Sequence, residues 1–194
     1  MDNQTFEKGF DVGAYVANLR NYRSFVRERL EEARADDRLA EELRRRASEY
    51  PQPVRATVTT EDWCGDSALN LPILASLFEK AGIELRVFRG SELGELKERY
   101  EADGDDHIPV LSLWDSEWNE LGRWIEAPSA IEPKKNAWKA KRPHFMELYA
   151  QRESDRDAAK RFAALYRDFL SEMAQWYRDG MWEETQKEIV DLLG

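Results

Sequence analysis

The chain has 194 residues, 42% of them apolar and 35% charged, with 39 acidic against 29 basic side chains and a net charge of −10. That length fits one compact domain with added elements, or a domain of about 100 residues with a helical appendage. The acidity leaves the chain poorly suited to neutralise nucleic-acid phosphates or to sit on anionic membranes, and no apolar run approaches the ~20 residues of a membrane helix.

Met1 to Phe10 carry no basic patch and no apolar stretch, so no secretory signal is expected and a soluble, cytoplasmic protein is. Val16, Leu19, Tyr22, Phe25, Val26 and Leu30 recur at spacings of three and four, which predicts one helical face. Asp36-Asp37 marks a break before a shorter helix from about Arg38 to Ser48, and Pro51 and Pro53 end helical structure. The β-branched run Val54 to Thr60 predicts a strand. A helix that is apolar nearly all round follows, from Ala68 to Phe78, with a stop at Ala81-Gly82 and Pro72 inside it as a source of a kink.

Ile83 to Phe88 reads as a second strand and Glu92 to Ala102 as a helix. Ile108 to Trp114 reads as a third strand, and Trp118 to Ile125 as its hairpin partner. This order predicts an α/β domain built on a mixed sheet. Ala127 to Pro143, with three prolines, reads as an ordered surface loop. The stripe Phe162, Leu165, Tyr166, Phe169, Leu170, Met173, Trp176 and Tyr177 predicts a packed helix, stopped at Asp179-Gly180 and followed by a last helix.

A single cysteine, Cys64, excludes an intramolecular disulfide, a Cys-only metal site and a two-cysteine redox cycle. With only His107 and His144 available, a structural zinc site is not expected, nor is any other metal or cofactor. Cys64 lies in Glu61-Asp62-Trp63-Cys64-Gly65-Asp66-Ser67, between a strand and a helix. There the free N–H groups and the positive end of the helix dipole favour the thiolate. Ser67 is placed to donate to it, whereas Glu61, Asp62 and Asp66 oppose it. The balance predicts a thiol modestly more acidic than a free one. His107, next to the third strand, is either a loop histidine or a neighbour of the thiol. The basic run Lys134, Lys135, Lys139, Lys141 and Arg142 around Trp138 reads as solvated, with an anionic tripeptide thiol or an acidic partner as the alternative.

Trp63-Cys64-Gly65-Asp66-Ser67 resembles the Trp-Cys-Gly-Pro-Cys signature of the thioredoxin-like superfamily. Pro72 matches the proline of its active-site helix, and Ile108-Pro109 its Ile and cis-proline pair. The resemblance covers roughly residues 54 to 126. It is closer still to a little-characterised bacterial branch with an N-terminal helical segment, which extends it back to about Phe10. It implies a thioredoxin-like fold, a mixed sheet flanked by helices. The implied divisions are an N-terminal helical extension (1–50), a core (51–126), and a loop with a C-terminal helical extension (127–194). It also implies Cys64 and Ser67 as the reacting and supporting residues, with Trp63, Ile108 and Pro109 as the docking surface.

Two departures matter. Ser67 stands where the second cysteine would be, and Val58 where thioredoxins place a buried aspartate. The resemblance therefore implies a monothiol protein that exchanges with protein or low-molecular-weight disulfides and is released by an external thiol. The alternative is a non-catalytic binding or adaptor protein. A peroxide-reactive thiol is the weakest expectation, because the turn lacks an arginine beside the cysteine. Oligomeric state is not legible in the sequence.

Overall fold

The β-branched run after Pro53 forms β1 (Arg55–Thr60), with all but its first residue buried. The sheet has the order β2-β1-β3-β4, with β2 (Glu84–Arg89), β3 (Val110–Trp114) and β4 (Glu120–Ile125). β1 runs parallel to β2, with Thr59 opposite Phe88, and antiparallel to β3, with Thr59 opposite Val110. β3 and β4 form the expected antiparallel hairpin, irregular at Leu113 and Trp114. The computed structural model describes residues 1–92, 94–105 and 107–194, with backbone alone for 94–97. The helix expected from Glu92 is α6 (Gly94–Ala102); Leu93, inside the expected span, lies outside the described residues.

Helices flank this sheet. The first three are the short α1 (Asn3–Phe6), α2 (Val12–Ala17) and α3 (Arg23–Glu32). The single helical face expected across Val16 to Leu30 is thus split between α2 and α3. Tyr22, at φ 57°, turns the chain between them, and Leu19 stays buried in the break. Asp36 caps α4 (Asp37–Ala47) by accepting from the Arg38 and Leu39 amides. α5 (Gly65–Ala81) runs through Pro72 and ends at Gly82, whose φ of 72° is the left-handed conformation that closes helices at no steric cost. The strand alternation sends Val58 and Leu111 to a core with Leu74, Leu77 and Phe78 of α5 and Leu43 of α4. Tyr100 of α6 packs with Val110 and Trp114 in a separate cluster.

Phe10 supplies an addition that periodicity does not reveal. It pairs with Val87 through two backbone hydrogen bonds of 2.9 and 2.8 Å, covering part of the free edge of β2.

Residues 1–127 and 182–194 form one compact unit, and residues 128–181 a second. The last helix, α10 (Trp182–Asp191), belongs to the first unit, where Ile189 and Val190 join the β1–α5 core. The second unit holds α7 (Glu132–Ala140), α8 (His144–Gln151) and α9 (Arg156–Trp176). The loop expected over Ala127–Pro143 is therefore a correction. Pro133 sits in the first turn of α7 and Pro143 precedes α8, positions where a missing N–H costs nothing. Trp138 and Phe145 pack edge to face, and Phe169 of α9 lies against both, giving the second unit an aromatic core. The irregular turn Tyr177–Met181 follows, with Gly180 at φ 134° where a stop was expected.

Candidate functional site

Cys64 is the N-cap of α5, in extended conformation, and its Sγ accepts a hydrogen bond from the Ser67 amide at 3.4 Å. On its other side the thiol faces the Ile108 carbonyl at 3.3 Å, at the start of a cis Ile108–Pro109 bond. The Glu126 amide donates to the Pro109 carbonyl at 2.8 Å, which ties this loop to the end of β4. Cys64, Ser67, Ile108 and Pro109 thus converge. The Ser67 hydroxyl is paired with that of Thr60 behind the thiol.

The expected modest acidity of Cys64 is overturned. The residue is only 6% exposed, and burial pushes its thiol up to about 11. Hydrogen bonds from Ser67 favour the thiolate but do not outweigh desolvation, which the Asp66 charge reinforces. Residues far upstream contribute to the cover. Tyr15, Leu19, Tyr22 and Val26 enclose a cavity of about 10 Å³ against Cys64, room for roughly one water.

That cover is pinned by Asp62, itself buried, which accepts from the Arg20 amide at 3.2 Å and from Arg89 Nε at 2.8 Å. Arg89 in turn reaches the Asn18 carbonyl at 3.3 Å. Sequence reading weighed Asp62 only as a charge near the thiol. Its role as an anchor depends on partners 42 and 27 residues away.

Trp63, by contrast, is 63% exposed. With Ile108 it borders a groove of about 430 Å³ whose other walls include Thr59, Glu61, Tyr100, Glu101 and Asp105. His107 Nδ1 lies 3.0 Å from the Glu126 carboxylate, and its side chain is largely exposed.

Sequence reading also missed a buried polar tie between α5 and α10. Trp182 Nε1 donates to the Leu69 carbonyl at 2.9 Å and the Thr185 hydroxyl to Asn70 Oδ1 at 3.0 Å. Asn70, fully buried, donates to the Asp66 carbonyl at 3.0 Å and the Glu126 carbonyl at 3.3 Å. One signal was present, a lone Asn in the apolar run Ala68 to Ala75.

The basic run around Trp138 is helical rather than a solvated loop. Lys135 and Trp138 are buried within α7, and Trp138 Nε1 donates to Glu172 at 2.7 Å. Among the described residues no group of three or more His, Cys, Asp or Glu is placed to hold a metal ion. No described helix is long and apolar enough to cross a membrane.

A mixed sheet with a cysteine-capped helix after its central strand, and a prolyl turn facing that cysteine, defines a thioredoxin-like fold carrying a one-cysteine turn. Residues 14–139 match the family model described as thioredoxin, about two thirds of the sequence, and the chain belongs to that family. Two solved structures are similar. One is a protein of unknown function, PA1234 from Pseudomonas aeruginosa (20% identity, TM-score 0.60), with 99% of this chain and 97% of that chain covered. The other is an HIV epitope-scaffold (21% identity, TM-score 0.57), with 97% and 94% covered. At such identities they support the fold alone. Among curated proteins none matches.

Proposed function

We propose that the chain is a monothiol member of the thioredoxin family that exchanges disulfides through Cys64, held latent by burial. The carrying observation is the placement of the lone thiol: at a helix N-cap, 3.3 Å from the Ile108 carbonyl, beside the open groove bordered by Trp63. Trp63, Ile108 and Pro109 are the docking surface in this reading, and Ser67 the supporting residue. The narrower bacterial branch with the Trp-Cys-Gly-Asp-Ser turn, and a cytoplasmic location, belong to the same proposal.

The chemistry has two balanced steps. The Cys64 thiol loses its proton to solvent, and the thiolate attacks one sulfur of a partner disulfide. A Cys64–partner disulfide forms, and the other partner sulfur leaves as a thiolate. An external thiolate then attacks the partner's sulfur, forming a new disulfide with it and expelling the Cys64 thiolate. No internal group completes the second step, because Ser67 cannot form a disulfide.

Burial is the leading cause of the raised pKa, so any movement that hydrates Cys64 weakens the dominant opposing effect while the Ser67 hydrogen bonds remain. Displacement of the segment carrying Leu19 and Tyr22 supplies that movement.

The buried, protonated resting thiol favours a second reading, a non-catalytic binding protein in which Cys64 is a packing residue. A peptide disulfide with a chromogenic leaving thiol separates the two. Leaving-thiol release, a Cys64 adduct in the intact mass, and recovery of free protein with added glutathione support exchange. No adduct after hours at pH 8.5, while free cysteine reacts within minutes, sinks it in favour of binding.

A further inference from the structure

The groove beside Trp63 has a chemical bias that the thioredoxin fold does not require. Three of its walls bear carboxylates: Glu61 after β1, Glu101 on α6, and Asp105 beyond it. The Glu61 carboxylate accepts the Ser91 amide at 2.7 Å, which fixes its position, and Asp105 is paired with Arg123 at the groove's outer side. Trp63 stands exposed over the same space, with Tyr100 and Val110 giving an apolar floor.

A second observation is independent of charge. Thr59, on the face of β1 that also carries Thr57, is 1% exposed and lines this groove. The Thr57 hydroxyl accepts from Trp114 Nε1 at 2.9 Å, whereas the Thr59 hydroxyl has no hydrogen-bond partner among the described residues. A buried hydroxyl without a partner is destabilising, and a ligand's polar group can relieve that cost.

We propose that this groove binds an extended, positively charged segment of a partner protein, with a Lys or Arg side chain laid against Trp63 and facing the Glu61 and Glu101 carboxylates. A cation on an exposed indole face and opposite-sign charge on the rim act in the same direction. A donor from the segment reaches the Thr59 hydroxyl at the floor. The assignment deepens the exchange reading, because Ile108 touches both the groove and the Cys64 thiol and so sets a cysteine of the segment beside Sγ. The binding itself needs no thiol chemistry.

The test uses the whole protein and three eight-residue peptides of one sequence, differing only in Arg, Gln or Glu at two positions flanking a central serine. Calorimetric titration is run at 50 and 500 mM NaCl. The Arg peptide is expected to bind at least tenfold more tightly than the Gln peptide, to weaken about tenfold at the higher salt, and to be preferred over a silent Glu peptide. Glu61→Gln with Glu101→Gln should remove the Arg preference.

Thr59→Val is the sharper variant. It keeps shape and burial, so it should leave thermal stability unchanged or raised, yet weaken the Arg peptide three- to tenfold. Equal binding of the three peptides, no binding by any of them, or Thr59→Val binding as well as the parent protein overturns the proposal. The same peptides carrying a cysteine disulfide separate it from the exchange reading. Selective binding without a Cys64 adduct upholds the groove and removes exchange; adducts formed equally fast with all three uphold exchange and remove the groove.

Discussion

If burial governs Cys64, its alkylation by iodoacetamide should follow a titration with a midpoint near 11, where burial places the folded thiol. A free thiol has a midpoint near ~8.5. At pH 7.5 the thiolate fraction is then about 3 in 10,000, against about 1 in 10 for an unfolded chain, a ratio of about 300. A more basic thiolate is also a stronger nucleophile, with a Brønsted slope of about 0.4–0.5, which returns about a factor of ten. The native protein should therefore alkylate roughly 20- to 30-fold more slowly than the same chain in urea, before any steric obstruction is counted. Intact mass against time from pH 7 to 11.5, with and without urea, gives both curves. The pH midpoint is the decisive quantity, because obstruction lowers the rate without moving it.

The same shift has a stability consequence. The folded thiol keeps a proton that the unfolded thiol releases between about 8.5 and 11. The contribution is present in full below the lower value and is lost as pH rises through the upper one. Integrated over the window it amounts to about 3 kcal/mol. Urea unfolding of the parent protein should thus weaken with rising pH more steeply than that of Cys64→Ala. A native midpoint below 8.5, or parallel alkaline curves for the two proteins, would falsify the burial account.

Ser67→Ala removes a hydrogen-bonding group that favours the thiolate, so the alkylation midpoint should move further upward; a downward move would show that Ser67 restrains the thiol. Asp62→Ala removes the shorter of two ion pairs of the largely buried Arg89, which keeps Glu92 at 3.5 Å and the Asn18 carbonyl, and it releases the Arg20 amide; it should cost about 1–3 kcal/mol in chemical denaturation. It should also speed Cys64 alkylation at pH 8.5, as the cover over the thiol loosens, and an unchanged rate would separate the anchor from the thiol. Gly122→Ala places a Cβ 2.8 Å from that of Leu192 and 3.0 Å from its carbonyl oxygen, so a loss of about 1–3 kcal/mol is expected in a thermal melt. A full-stability variant would mean that the Leu192 backbone gives way freely.

The central sheet and α5 were legible because their signals are local. A β-branched run bounded by Pro53, and an apolar run closed by Gly82, leave few alternatives. The split between α2 and α3 was hidden because Leu19 and Tyr22 keep their helical spacing and stay inward although the backbone is not helical from Asn18 to Tyr22. In the second unit, prolines read as loop markers in the sequence although they stand at helix starts. The placement of Cys64, Ser67, Ile108 and Pro109 could be anticipated from the motif. The acidity of Cys64 could not, because dipole, hydroxyl and carboxylates are neighbours in sequence whereas the covering Tyr15, Leu19 and Tyr22 lie more than 40 positions upstream. Desolvation is a property of the assembled fold.

The return of α10 to the first unit sets an order of events during synthesis. Thr185 and Asn70 are 115 residues apart in sequence, and the 54 residues of the second unit separate Ala127 from Trp182. On a ribosome, sheet and cysteine turn emerge well before the helix that satisfies Asn70 and completes the packing of Leu74 and Phe78. Until then that apolar face is open to water and to chaperones. The cysteine helix is therefore finished only after the inserted helices have been made.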